Sequence, residues 1–112
     1  MAMNEIIDPT KAVNFIIQNA SKFAKAKAER VYVENFLRSK KSLLMSDSSE
    51  KTMAGKEKDA YAHSEYIDLL TALKEAIEIE EQLKWQLTAA QIKVEIWRSQ
   101  EATNRTQDRL TL

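Results

Sequence analysis

Apolar residues in the first third of the chain recur at three- and four-residue steps: Val13, Ile16, Ile17, Ala20, Phe23, Ala24, Ala28, Val31, Tyr32 and Phe36. That spacing is the period of one face of an α-helix. Asp8-Pro9 supplies the start, an N-cap side chain followed by a proline whose missing N–H costs nothing in the first turn. The pattern predicts a helix over about 9–45, weakest at Asn19-Ala20-Ser21, where Asn and Ser offer the backbone competing hydrogen bonds. Ser46 to Glu50 reads as a linker, and Asp47 with Glu50 as a capping box for a short helix over about 50–62. Ser64 reads as the next N-cap, with Glu65 in the first turn where the helix dipole favours an anion.

Residues 65–108 contain no Gly or Pro and predict one long helix, roughly 60 Å at 1.5 Å per residue. Two coiled-coil seams are read along it: Tyr66, Leu70, Leu73, Ile77, and then Leu83, Leu87, Ala90, Val94, Trp97. Between them the steps 77, 80, 83 read as a stammer, with Glu80 at the slip, a place where packed helices diverge or an acid selects a partner. A second stripe, Trp85, Ala89, Ile92 and Ile96, lies nearly opposite the first. One partner helix cannot bury two opposite faces. One stripe is expected to pack on the first helix of its own chain and the other on another chain, which makes Leu83, Trp85, Leu87, Ile92, Val94, Ile96 and Trp97 the candidate oligomer interface, anchored by Trp85 and Trp97.

The fold class expected is therefore all-α: an elongated helical hairpin of two long helices with a short connecting helix, forming a coiled-coil-like oligomer as one domain over 1–112. Composition agrees, because a single Gly and a single Pro in 112 residues leave too few turn formers for a many-stranded sheet. The formal charge is zero but unevenly spread: residues 1–46 carry eight basic and four acidic side chains, residues 47–112 nine and thirteen. Such polarity steers self-association and leaves a basic first half for a polyanion, unless both are simply solvated helix faces. No cysteine is present, which excludes disulfides and thiolate metal sites. Neither a secretory start at MAMNEIIDPTK nor a membrane-length apolar run is found, so a soluble cytoplasmic protein is expected.

No catalytic constellation is read. His63 stands in a polar turn without a nucleophile, the acids Glu75, Glu78, Glu80, Glu81 and Glu95 read as a solvated face, and no Glu-x-x-His pair or Gly-rich phosphate loop occurs. The expectation is no enzyme, no cofactor, no metal and no small-molecule substrate. The basic residues carry more. Lys11, Lys22, Lys25 and Arg30 lie on the first helix, Arg38, Lys40 and Lys41 cluster near its end, and Lys51, Lys56 and Lys58 precede Tyr61 and Tyr66. Cations that neutralise phosphates beside an aromatic stacking face are the minimum equipment for single-stranded DNA, made strong by repetition around an oligomer. The plain alternative is helix surface and core tyrosines.

The order of these features, a basic helix carrying Tyr32 to Lys41, the charged run Lys56-Glu57-Lys58-Asp59-Ala60-Tyr61, Ser64-Glu65-Tyr66, and a long helix with Leu83-Lys84-Trp85-Gln86-Leu87, Trp97-Arg98 and Arg105, resembles small all-helical phage-encoded proteins. Within that set it is similar, over about residues 30–105, to the UvsY-type recombination mediators of T-even phages. The resemblance implies ring-like oligomers that bind single-stranded DNA and help load a recombinase onto strands coated with single-strand-binding protein. It implies the host cytoplasm as the location. It assigns DNA contact to Lys56, Lys58 and Tyr61, beside Lys40 and Lys41, and assembly to the 83–97 helix; Glu57 and Asp59 interleaved among the lysines depart from the pattern. The expectation is thus a non-enzymatic mediator-like scaffold whose partners are itself, single-stranded DNA and recombination proteins. Its rivals are an inhibitor or adaptor acting on a host complex and a structural virion or assembly component.

Overall fold

The computed structural model describes residues 6–111, in which the chain is all-α. Helix α1 spans Pro9–Asp47, α2 Met53–Ala62 and α3 Ser64–Thr111, and no strand occurs among the described residues. Residues 1–5 of the start MAMNEIIDPTK, which bears on the expected lack of a secretory leader, lie outside them.

Each helix begins where a side chain satisfies its orphan N–H groups. Asp8 caps α1 as the sequence predicts: its Oδ1 accepts from the Thr10 and Lys11 amides at 3.0 and 3.2 Å. The weak point at Asn19 does not break α1, because its amide turns back on the helix and Nδ2 donates to the Phe15 carbonyl at 2.8 Å. The Asp47–Glu50 capping box does not form. Thr52 is the cap of α2, its Oγ1 accepting from the Gly55 amide at 3.0 Å. A Cβ on Gly55 would meet Glu50 Cβ and Thr52 Oγ1 at 3.0 Å, so the glycine leaves room for this close approach. His63, not Ser64, joins α2 to α3. Its N–H donates to the Ala60 carbonyl at 3.2 Å, its carbonyl accepts from Ile67, and its Nδ1 accepts from the Glu65 amide at 3.1 Å. The end of α3 continues to Thr111 with residues 98–111 all exposed.

The described chain packs as two compact units, one of residues up to 23 and from 82 onward, the other of residues 24–81. In the second unit Arg30 meets Glu80 and Lys40 meets Glu65, so α1 rises as α3 descends and the two segments are antiparallel. Helix α2 lies against them, with Ala60 fully enclosed. In the first unit the start of α1 and the α3 segment line one groove through Ala12, Phe15, Ala89 and Ala90.

Burial along the helices follows a heptad step. On α1 it takes Ala12, Ile16, Asn19, Phe23, Ala26, Arg30, Val33, Leu37, Lys40 and Leu44; on α3 it takes Tyr66, Leu69, Leu73, Ala76, Glu80, Leu83, Leu87, Ala90, Val94 and Trp97. Steps of three and four alternate on α3 without interruption, so there is no stammer at Glu80. The seam uses Leu69 and Ala76 where the apolar pattern suggested Leu70 and Ile77, which are exposed. On α1 likewise, Ala28, Val31, Tyr32 and Phe36 lie outside the seam, and Arg30 and Lys40 within it.

Candidate functional site

The buried residues are Ala12, Val33, Leu44, Ala60, Ala76 and Ala90, four of the six being alanine, while the larger seam side chains such as Phe23, Leu83 and Trp97 are only half-buried. Alanines let two helices approach closely but bury little area per residue.

On α3 the structure divides the seven candidate interface residues into two groups. Leu83, Leu87, Val94 and Trp97 are half-buried in the seam of their own chain. Trp85, Ile92 and Ile96 stand outside at 62%, 52% and 43% exposure. Of the two tryptophans, only Trp85 belongs to the outer stripe, and Lys84 Nζ lies over its ring at 5.6 Å. The first unit also exposes Val13 and Ile17 of α1. In the second unit Tyr32 and Phe36, one turn apart, stack with centroids 6.1 Å apart and planes 9° from parallel, and Leu43, Ile67 and Ile79 are exposed as well. Isolated exposed apolar residues are ordinary on any surface; a stripe of them at heptad spacing opposite the packed seam is not.

The candidate DNA-contacting residues all fall in the second unit, and two of them, Lys40 and Lys41, are paired with acids. Lys40 Nζ lies 2.7 Å from Glu65, whose carboxyl the Lys40 hydrogen bond and charge hold below the usual carboxylate range. Lys41 Nζ donates to Glu57 Oε1 at 2.9 Å and sits 4.7 Å from the Tyr61 ring centroid; Tyr61 first and Glu57 second push the ammonium above the usual lysine range. Tyr61 also meets Tyr66 edge-on at 5.3 Å. Lys58 is exposed, Lys56 half-buried, and Asp59 beside them accepts from Ser48 at 2.5 Å. Glu57 and Glu65 thus pair with Lys41 and Lys40.

Glu80, unexplained in the apolar pattern, is the acid of a fork across the seam. Arg30 Nε donates to its Oε2 at 2.6 Å and Nη2 to its Oε1 at 3.0 Å, while Nη1 reaches Glu34 at 3.1 Å. These bonds, from Glu80 foremost, hold the guanidinium above its ordinary range against the opposing pull of partial burial. The bidentate geometry is the one arginine and carboxylate prefer.

A groove of about 700 Å³ opens in the first unit between Ile6, Ile7 and Phe15 on one side and Ala89 on the other, with Lys11 and Lys93 at its edges. No buried side-chain N or O atom lacks a partner among the described residues. Among the described residues no group of three or more His, Asp or Glu side chains is placed to hold a metal ion, and no helix is long and apolar enough to cross a membrane. No protein-family model, curated protein or solved structure matches the chain.

Proposed function

We propose that this is a non-enzymatic helical assembly protein, which works by laying the outer apolar faces of its long helices against protein partners, copies of itself among them. The observation that carries this reading is the contrast on α3: an alanine-containing seam turned inward, and Trp85, Ile92 and Ile96 turned outward at the same heptad spacing. Fully burying a large side chain is worth about 1.5–3 kcal/mol, so covering what remains exposed of that stripe on a second helix contributes a part of that per residue against the cost of association. Light scattering over a range of concentrations tests it, with a mass above one chain expected and a single-chain mass at all concentrations fatal to it.

A mediator-like role on single-stranded DNA is the second reading, favoured by the convergence of Lys40, Lys41 and Tyr61 in one unit beside exposed Lys58. It requires phosphates to displace Glu57 and Glu65. Fluorescence anisotropy of a labelled oligonucleotide at low and physiological salt separates the two. Binding that falls steeply with salt, and that Glu57→Gln with Glu65→Gln strengthens, supports the DNA role. No binding at low salt retires it and leaves a protein-binding scaffold.

A further inference from the structure

The assembly reading leaves the orientation of the second copy open, and the outer stripe of α3 answers it. Gln82, Trp85, Ala89, Ile92, Ile96 and Ser99 step by three, four, three, four, three, the a and d positions of about two heptads. In an antiparallel pair each a position faces a d position. One alignment sets every apolar member against another: Trp85 against Ile96 of the second copy, and Ala89 against Ile92, each repeated by symmetry. A slip of one heptad either way puts Ile92 opposite Gln82 or Trp85 opposite Thr103. A parallel pair would face indole with indole and then alanine with alanine, crowding one layer and leaving a void in the next.

Charge points the same way. Lys84 and Glu95 flank opposite ends of the stripe, and Lys84 already leans over it onto the Trp85 ring. The antiparallel alignment brings Lys84 of each copy to the level of Glu95 of the other on the same flank, whereas a parallel one puts them on opposite flanks and about 16 Å apart along the axis. We infer that two copies of the chain pair α3 against α3, antiparallel over residues 82–99, about a two-fold axis between Ala90 and Gln91. This inference rests on the assembly reading and adds the partner and its register to it.

The chain has no cysteine, so an introduced one is unique. Gln82 and Ser99 are both exposed and face each other across the proposed pair, which makes Gln82→Cys and Ser99→Cys the informative variants. Under mild oxidation an equimolar mixture is expected to yield a disulfide-linked dimer carrying one of each, while neither variant alone cross-links, its own two copies of the cysteine lying about 25 Å apart along the helix axis. Cross-linking of either variant by itself signals a parallel pair and overturns the inference. So does the absence of any cross-link in protein that light scattering shows to be oligomeric, an outcome that leaves the assembly reading standing. A single-chain mass overturns both.

Discussion

Single side chains decide where this fold departs from a plain apolar pattern. Arg30 and Glu80 occupy seam positions that Leu or Ile would ordinarily fill, and their side chains are only 25% and 12% exposed. Removing one partner leaves the other charge half-buried, while replacing both with apolar residues leaves a continuous seam. Arg30→Leu or Glu80→Leu alone is therefore expected to lower the thermal midpoint, and the double variant to regain wild-type stability or exceed it; a double variant weaker than either single would contradict this. The Lys40–Glu65 pair is tested by acid. A carboxyl held below its unfolded value contributes stability above that value and loses it as pH falls through the folded one. The stability advantage of wild type over Glu65→Gln is expected at neutral pH and should vanish below the usual carboxylate range, as followed by melting across a pH series.

At the scale of the element, caps and seams set the boundaries. His63 serves both helices it separates, ending α2 through its N–H and starting α3 through Nδ1. His63→Ala is expected to cost about 1 kcal/mol in denaturant unfolding and His63→Asp to keep most of it, since aspartate caps and suits the helix dipole; equal stability of His63→Ala and wild type would show the cap to be idle. The seam makes a sharper comparison. Leu69→Ala is expected to destabilise more than Leu70→Ala by about 1 kcal/mol, because Leu69 packs inward and Leu70 faces out. The two long helices, the start at Asp8-Pro9 and the opposition of the two α3 stripes were legible in the sequence, because proline, caps and heptads act locally. The register of the seam was not. It passes through alanines and through Arg30, Lys40 and Glu80, whose fitness for burial depends on a partner 25 residues away for Lys40 and 50 for Arg30 and Glu80. Leu70, Ile77, Tyr32 and Phe36, being larger and apolar, drew the reading one residue aside. The basic cluster was visible as composition, but its neutralisation by Glu57 and Glu65 is a matter of tertiary contact.

Taken as a whole molecule, one chain encloses little large apolar surface. Its most enclosed residues are alanines, Val33 and Leu44, and its tryptophan on the outer stripe is more than half exposed. A chain so arranged gains by covering its outer faces with other protein, as the assembly proposal holds. The most direct measurement is sedimentation equilibrium of the wild type beside a Trp85→Glu, Ile92→Glu variant, with helicity checked by circular dichroism. Both substitutions lie outside the seam, so the variant is expected to stay helical and fall to the single-chain mass of 12.9 kDa while the wild type remains larger. A helical variant with the wild-type mass would contradict the role assigned to the outer stripe of α3.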